Sequence, residues 1–301
     1  MTGTTITTRK IIPLVREHFA FAKGKKVALL GQGFNSIVLQ IGNTALKLLQ
    51  THPGYEPPSV LLKRELKGFR VLASLSRLPV PIPKVLGYGH FNRTDDLFRC
   101  HISCWSLTSK LAGRCFKFPD YPRYPQAIDD LGKFLSFIHS QKLRSARQTE
   151  PHPLKSTREI LENVKNKEDE KLGLQLRRQI ENAQWDMTLV HGDINAGNIL
   201  LKGKRLSGIL DLAELNYDAR EWEWCHAMLH PKFARLLIEA YYRHGGKKLN
   251  LESLYLMSAI NHFWNILADE NLGKFAQGRK GRKKLPWLLR QLTKNKPLGI
   301  L

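Results

Sequence analysis

Short apolar runs separated by glycine fill residues 27–49, whose sequence is VALLGQGFNSIVLQIGNTALKLL. Runs of this length between turn residues are typical of β-strands, and Gly42-Asn43 is typical of a tight hairpin turn. The segment therefore predicts three strands that form an antiparallel meander.

The apolar spacing changes to three and four residues within residues 60–78, as on one face of an α-helix. Three prolines at alternate positions in residues 79–83 end this helix, because proline cannot continue its hydrogen-bond pattern. Two further strands are predicted at residues 85–91 and 98–107. The first part of the chain is therefore expected to be a small antiparallel sheet with one helix.

Helical spacing dominates the rest of the chain. It is predicted over residues 127–139, over the long charged region 156–185, and from residue 221 up to a basic tail. One hairpin interrupts the helices, with strands at residues 199–201 and 206–210 around a Lys-Gly-Lys turn.

The stretch between residues 113 and 125 contains glycine and several prolines, which is typical of a connection. A chain of 301 residues is long enough for one large domain or for two lobes. We therefore expect an N-terminal lobe of residues 1–112 and a mainly helical C-terminal lobe of residues 113–301.

The composition is that of an ordinary folded protein, since 42% of the residues are hydrophobic and 25% are charged. No apolar stretch approaches the roughly 18 residues that span a bilayer. The opening sequence MTGTTITTRK also lacks the apolar run of a secretion signal. We therefore expect a cytoplasmic protein.

The four cysteines form neither a C-x-x-C pair nor a spacing that nearby histidines complete as a zinc site. They are Cys100, Cys104, Cys115 and Cys225. We interpret them as reduced, mostly buried thiols rather than as metal ligands or disulfide partners.

A formal net charge of +22 is the unusual feature of the composition, and it favours phosphate-rich partners over cationic ones. Residues 271–301 contain no Asp or Glu, and their basic residues are Lys274, Arg279, Lys280, Arg282, Lys283, Lys284, Arg290, Lys294 and Lys296. Three interpretations of this basic tail stay open: a solvated helix end, docking on the anionic inner face of a membrane with Trp287 at the interface, and contact with nucleic acid.

The sharpest chemical signal is the sequence LVHGDINAGNILL at residues 189–201, which is followed after the hairpin by GILDLAE. Phosphoryl transfer requires oxygen ligands for Mg²⁺, and the Asn198 amide and the Asp211 carboxylate have this chemistry. It also requires a group that orients the attacking hydroxyl and accepts its proton, for which Asp193 is the candidate. A purely structural polar hairpin is the alternative.

A glycine-rich segment from Gly31 to Ser36 lies between the first two predicted strands, and Lys47 lies in the third. Glycine at Gly31 and Gly33 lets the backbone approach phosphates, and a lysine on a neighbouring strand can neutralise them. Lys47 lies in an apolar run, where an unpaired ammonium is costly, so Glu65 on the predicted helix is its expected partner. The alternatives are an ordinary hairpin turn and a solvated Glu65.

Together these residues resemble the aminoglycoside phosphotransferase and choline kinase group of the protein-kinase-like superfamily, over residues 25–230. HGD in place of HRD, Ser36 in place of a third glycine, and the lack of a D-F-G glycine after Asp211 are more similar to the small-molecule kinases. The resemblance implies an α+β, two-lobed fold. It also implies a hinge near residues 106–110 whose backbone holds adenine, and an acceptor site in the helical region after residue 215.

The expected reaction is transfer of the γ-phosphoryl group of ATP, with Mg²⁺, to a hydroxyl of a small molecule, sugar or glycan. His191 is expected to pack below the site and to bond to backbone rather than to act as the base. Because a cleft for cationic aminoglycosides needs carboxylates and the chain has 26 acidic residues in all, a neutral or anionic acceptor is favoured. An atypical protein kinase and a nucleotide-binding pseudokinase scaffold are the alternatives.

Overall fold

A computed structural model describes five stretches of the chain, residues 8–33, 35–52, 56–142, 150–271 and 273–294. Phe34 of the glycine-rich segment and Lys296 of the basic tail lie outside the described residues. The chain folds as two units. The first comprises Met1–Arg77, Pro81–Gly113 and Ser207–Glu214, and the second comprises Leu78–Val80, Arg114–Leu206 and Leu215–Leu301.

The first unit is built on a five-stranded antiparallel sheet with the strand order β1-β2-β3-β5-β4. Its strands are β1 (Val27–Gln32), β2 (Ser36–Ile41), β3 (Thr44–Gln50), β4 (Val85–His90) and β5 (Ile102–Ser109). Its helices are α1 (Thr8–His18), α2 (Pro58–Ser74) and α3 (Asp96–Arg99).

The two faces of this sheet pack against different helices. In β3, Leu48 belongs to the same buried cluster as Ile11 of α1, whereas Leu49 packs with Leu62 of α2. Successive residues of a strand point to opposite faces of its sheet. Lys47 therefore lies on the face that α2 covers.

The predicted meander and the helix that follows it are confirmed in this part of the chain. The strand predicted at residues 98–107 is wrong at its start, because α3 occupies its first positions and the strand begins at Ile102. The Asp95 carboxylate accepts a hydrogen bond from the Asn92 N–H at 2.6 Å and turns the chain ahead of α3. Helix α1 lies outside the predicted elements.

The second unit is mainly helical, with short strands that pair as β7-β10 and β6-β8-β9. Its helices are α4 (Pro125–His139), α5 (His152–Asn163), α6 (Lys167–Glu181), α7 (Pro231–Arg243), α8 (Leu251–Asn271) and α9 (Phe275–Lys294). Its strands are β6 (Arg114–Cys115), β7 (Met187–Val190), β8 (Ile199–Lys202), β9 (Arg205–Ile209) and β10 (Asn216–Ala219). Residues of β9 from Ser207 onward belong to the first unit. No helix in the described stretches is long and apolar enough to cross a membrane.

The α+β fold class is confirmed, and two details of the helical region are corrected. The long region 156–185 is two helices, because the Asn166 side chain caps α6 by accepting the Asp169 N–H at 2.9 Å. The single predicted hairpin is accompanied by β6 and by the β7-β10 pair. Strands of two to four residues are too short to show a period of two.

All four cysteines are free thiols, but they are not buried to the same degree. Cys104 and Cys225 are buried and Cys100 is half-buried, whereas Cys115 is exposed. The expectation of mostly buried thiols is therefore wrong for Cys115, which lies on the two-residue strand β6 and contacts the Gly197 carbonyl at 3.4 Å.

The basic tail is a folded helix as far as residue 294. Leu285 and Leu288 of α9 are buried, and Trp287 packs edge-on against Tyr255 of α8 with the ring centroids 6.3 Å apart. One face of α9 is therefore part of the core of the second unit.

Replacing Arg282 of α9 by methionine is expected to lower the free energy of unfolding by about 1–2 kcal/mol at pH 7, since the arginine is partly exposed. Its guanidinium bonds to Asp169 at 2.8 and 2.9 Å and to Glu270 at 2.7 and 2.8 Å. The hydrogen bonds from Arg282 to Asp169 lower the pKa of Asp169. Because the pKa of an Asp carboxyl in the unfolded chain is about 3.9, this ion pair stabilises the folded protein fully above that pH. The stabilisation is lost as the pH falls through the lower pKa that Asp169 has in the folded protein.

Urea unfolding at pH 7 and at pH 3 is the measurement, and Lys283→Met, at an exposed position of the same helix, is the control. The loss caused by Arg282→Met should shrink at pH 3. An equal loss at both pH values would contradict the ion pair as its cause.

Candidate active site

Lys47 is the central charged residue of the first unit. Its Nζ atom is 3.0 Å from Glu65 Oε1 and 3.1 Å from Asp211 Oδ1. Strand alternation directs Lys47 toward α2, and Glu65 lies on the buried face of α2 with 4% of its surface exposed. The first unit thus brings three of the predicted site residues into one charge cluster.

The carboxylates of this cluster keep Lys47 ionised. Burial alone would lower the pKa of Lys47, but the charges of Asp211 and Glu65 outweigh it and raise that pKa above its ordinary value. Burial raises the pKa of Glu65, and the Lys47 ammonium opposes that shift. Lys47 therefore carries a fixed positive charge, which is the chemistry that neutralises phosphate oxygens.

Asp211 has a backbone conformation that is rare for residues other than glycine, with φ of 56°. Two contacts with α2 hold the segment around it. A Cβ atom on Gly68 would lie 2.3 Å from the Leu212 carbonyl oxygen, and Arg64 donates a hydrogen bond to Glu214 at 3.0 Å. Such conformations persist where the surroundings enforce them, and they are frequent at functional sites.

Replacing Gly68 by alanine is expected to destabilise the first unit and to displace Asp211. Alanine favours a helix over glycine by about 1 kcal/mol. A net loss of stability must therefore come from the clash with Leu212, and overpacking of this kind typically costs about 1–3 kcal/mol. Thermal unfolding and phosphoryl transfer are measured on Gly68→Ala and on Lys67→Ala, an exposed neighbour on α2. A Gly68→Ala protein as stable and active as the wild type would show that this contact does not position Asp211.

The glycine-rich segment begins in β1, to which Gly31 belongs, and ends at Ser36, the first residue of β2. Gly33 donates its N–H to the Ser36 carbonyl at 2.9 Å, and the strand register shifts between Leu29 and Gly31. A Cβ atom on Gly31 would meet none of the described atoms within 4 Å, and one on Gly33 would be 3.7 Å from Ser36 Oγ. Packing among the described residues therefore does not require glycine at either position. The space beside the Gly31 backbone is free of described atoms.

Glu223 fixes the loop of the second unit that carries Asp193. This carboxylate is 2% exposed and accepts the backbone N–H groups of His191 at 2.6 Å and Gly192 at 3.3 Å. Gly192 has φ of 81°, a conformation that favours glycine. The chain leaves β7 at Val190 and enters this loop in one enforced conformation.

The Asp193 carboxylate is held by three side chains. Oδ1 accepts a hydrogen bond from Asn195 Nδ2 at 2.8 Å and lies 3.0 Å from His226 Nε2. Oδ2 accepts one from Asn198 Nδ2 at 2.8 Å. Because 28% of the Asp193 side chain is exposed, the carboxylate is oriented and still accessible.

These contacts also set the charge of Asp193. Burial raises the pKa of Asp193, but the hydrogen bond and charge of His226 and the hydrogen bond from Asn195 outweigh burial, so the pKa lies below its ordinary value. Asp193 is therefore a carboxylate at neutral pH. A weakly basic carboxylate suits a reaction in which the hydroxyl is oriented first and loses its proton late.

Asn198 and Asp211 each have an oxygen that fits a metal ion. Asn198 Nδ2 donates to the carbonyl oxygen and the carboxylate of Asp193 at 2.9 and 2.8 Å, so the amide oxygen is left for another ligand. Asp211 offers a carboxylate of which Oδ1 contacts Lys47. Amide and carboxylate oxygens are the donors that Mg²⁺ prefers, so both residues fit that ion by their chemistry.

His191 is fully buried, and its Nδ1 accepts the Asp193 N–H at 3.3 Å. The predicted hydrogen bond to backbone is therefore present. This hydrogen bond fixes the backbone of the loop. The buried ring is not accessible to a substrate that would accept the phosphoryl group.

Two residues that contact the Asp193 loop, Glu223 and His226, are missing from the sequence-based set of site residues. They lie in and just after the 3-10 helix Arg220–Trp224, in which Arg220, Glu221 and Glu223 are all buried. The charge-rich run REWEWCH is the one signal for them in the sequence. A short 3-10 helix has no hydrophobic period from which their burial could be predicted.

The phosphotransferase enzyme family matches residues 29–248 of the chain. Among solved structures, the GDP complex of wild-type aminoglycoside 2'-phosphotransferase-IIIa has a TM-score of 0.68 at 12% identity, over 97% of this chain and 100% of that chain. The streptomycin-ATP-APH(2")-IIa ternary complex has a TM-score of 0.63 at 15% identity, over 94% and 97%. A choline/ethanolamine kinase family protein from Mesorhizobium loti has a TM-score of 0.62 at 15% identity, over 96% and 94%. No curated protein sequence matches the chain.

Proposed function

We propose that this chain, which belongs to the phosphotransferase enzyme family, transfers the γ-phosphoryl group of ATP to a hydroxyl group of a small molecule, sugar or glycan. The observation that carries the proposal is the Asp193 carboxylate, which three side chains orient and which stays ionised and accessible. A carboxylate in this state can orient an attacking hydroxyl and accept its proton.

The first unit is proposed to bind the nucleotide. Lys47, held by Glu65, would neutralise the phosphates that are not transferred. The absence of side chains at Gly31 and Gly33, with open space around Gly31, would let the backbone there approach those phosphates. The backbone around residues 106–110 is the proposed adenine contact, by the family resemblance.

Asp211 and Asn198 are proposed to hold Mg²⁺. When bound, the ion neutralises negative charge on the phosphate oxygens. The enforced backbone of Asp211 fixes the direction of its carboxylate, and the hydrogen bonds to Asp193 fix the direction of the Asn198 amide.

Asp193 is proposed to act on the acceptor. Its carboxylate accepts a hydrogen bond from the acceptor hydroxyl and takes the proton as the hydroxyl oxygen attacks the γ-phosphorus. The new O–P bond forms while the bond to the bridging oxygen of ADP breaks, and ADP leaves with that electron pair. Asn195 and His226 hold the carboxylate still during this exchange.

The acceptor is proposed to be neutral or anionic. The chain has 48 Lys and Arg against 26 Asp and Glu, so its overall field attracts anions and repels polycations. Sugars and phosphorylated sugars meet this condition better than cationic aminoglycosides do.

A screen for ADP release tests the proposal. The purified chain is incubated with Mg²⁺, with ATP or GTP, and with sets of sugars, phosphorylated sugars, glycans and aminoglycosides. We expect ADP release that depends on one class of acceptor, and mass spectrometry should find one added phosphoryl group on that acceptor. Labelling of proteins alone would identify a protein kinase, and nucleotide binding without turnover would identify a scaffold; either result contradicts the proposal.

A further inference from the structure

A cavity of about 210 Å³ lies between α8 and α9 in the second unit. Its polar lining consists of His262, Asn265, Asp269, Gln277, Lys280 and Lys284. The two helices approach closely because residue 281 is glycine: a Cβ atom on Gly281 would be 2.6 Å from Ile266 Cγ1. The cavity is therefore a polar recess between two tightly packed helices.

Two ammonium groups of the cavity have no carboxylate partner within the described stretches of the chain. Lys280 and Lys284 are one helical turn apart and exposed, and neither forms an ion pair with any described residue. Arg282, which lies between them in sequence, pairs with two carboxylates. Asp269 is the acidic residue of the lining, and burial raises its pKa against the charge of Lys274. The cavity therefore carries an excess of positive charge.

His262 adds a directed polar group to this cavity. Its Nε2 atom lies 2.9 Å from the Gly281 carbonyl, and because a carbonyl can only accept, Nε2 carries a hydrogen. Burial lowers the pKa of His262 against the effect of that hydrogen bond, and the charges of Lys284 and His226 lower it further. His262 is therefore neutral at pH 7, and its Nδ1 can accept a hydrogen bond from a hydroxyl group.

His226 lies between the Asp193 loop and a segment that packs against α8. Its Nε2 atom is 3.0 Å from Asp193 Oδ1. The 3-10 helix Ala227–Leu229, which directly follows His226, packs against α8. All of these groups belong to the second unit.

We propose that this cavity binds the anionic group, a phosphate or a carboxylate, of an acceptor that also carries the hydroxyl to be phosphorylated. An anion between Lys280 and Lys284 relieves the repulsion between their ammonium groups, whereas a cationic acceptor is repelled by them. The inference rests on the proposed function, because it presupposes an acceptor that reacts at Asp193. It narrows the acceptor class from neutral or anionic to anionic.

Binding of a small probe tests the cavity without any turnover. Ligand-detected NMR follows glycerol 3-phosphate, with glycerol as the uncharged counterpart. The wild type is expected to bind glycerol 3-phosphate and not glycerol, and Lys280→Gln/Lys284→Gln is expected to weaken that binding by about tenfold or more. Arg279→Gln/Lys283→Gln removes the same charge from exposed positions of α9 outside the cavity lining, so its binding should be unchanged. Lys280→Arg/Lys284→Arg should retain binding.

Two results would overturn the inference: no binding of glycerol 3-phosphate by the wild type, or equal weakening in the two glutamine variants. With an acceptor from the ADP-release screen, the cavity variant should raise KM and leave kcat nearly unchanged. If Lys280→Gln/Lys284→Gln has an unchanged KM while Asp193→Asn is inactive, this inference is contradicted and the proposed function is not. Probe binding through the two lysines in a protein that transfers nothing would contradict the proposed function. In that case the cavity would bind anions, but the bound anion would not be part of an acceptor.

Discussion

Replacing Asp193 by asparagine is expected to lower the rate of phosphoryl transfer by about 10²–10⁴-fold, the typical contribution of a positioned acid or base. Asparagine has the same shape, and its amide oxygen can still accept the hydrogen bond from Asn195 and face His226. Its amide nitrogen cannot accept the hydrogen bond from Asn198 Nδ2, but Asn198 keeps its hydrogen bond to the Asp193 carbonyl oxygen. It cannot take the proton of the acceptor hydroxyl. Folding and nucleotide binding are therefore expected to change little.

Three measurements separate these expectations. ADP release gives kcat, calorimetric titration with ADP gives the nucleotide affinity, and thermal unfolding gives the stability. Asp129→Asn is the control, because Asp129 lies on α4 of the same unit and pairs with Arg243. Turnover retained in Asp193→Asn would remove Asp193 from its proposed role.

Replacing Lys47 by methionine is expected to destabilise the first unit by about 3–5 kcal/mol and to abolish phosphoryl transfer. Methionine keeps most of the aliphatic packing of lysine, but it leaves Glu65 buried without a cation. Asp211 Oδ1 loses the same partner. The loss of stability therefore reports an uncompensated buried charge rather than a cavity.

A double-mutant cycle tests this reason. Lys47→Met/Glu65→Leu removes both members of the ion pair, so it is expected to be more stable than Lys47→Met while remaining inactive. Urea unfolding and ADP release are measured on both single variants, on the double variant and on Lys63→Met, an exposed site on α2. A double variant that is less stable than Lys47→Met would contradict the buried charge as the cause.

The Lys47–Glu65 pair could be predicted from the sequence because strong patterns fix both residues. Strand alternation places Lys47 on one face of the sheet, and helical spacing places Glu65 among Leu62 and Leu66 on the buried face of α2. An ammonium in an apolar run then requires a carboxylate, and Glu65 is at the right place. The structure contains this ion pair at 3.0 Å.

The partners of Asp193 could not be predicted in the same way. His226 follows a 3-10 helix that has no repeating pattern, and Glu223 is a buried carboxylate whose partners are backbone N–H groups far away in sequence. Backbone groups are the same at every residue, so a sequence gives no sign of which of them a carboxylate will bind. The contact of Asp211 with Lys47 likewise depends on a positive φ at a residue other than glycine.

The family resemblance drawn from a few short motifs is confirmed by the match over residues 29–248. The HGD loop and the later Asp211 carry that resemblance, because their proposed role, phosphoryl transfer, calls for carboxylate and amide oxygens. Residues 271–301 lie outside the match, and what their charge does could not be deduced from composition. The structure shows that the basic residues of α9 have different surroundings. Arg282 is paired with carboxylates, whereas Lys280 and Lys284 line a cavity.

The first unit is assembled from three separate parts of the chain, and the last part, Ser207–Glu214, supplies Asp211 and Leu212. A single recombination crossover near residue 112 would therefore join the Gly68 of one parent to the Leu212 of another. Such a chimaera would pair a helix with a segment that had never been selected to fit against it. To exchange the first unit by itself, two relatives of this chain would need three crossovers, near residues 113, 206 and 214, so that residues 207–214 are transferred together with the sheet.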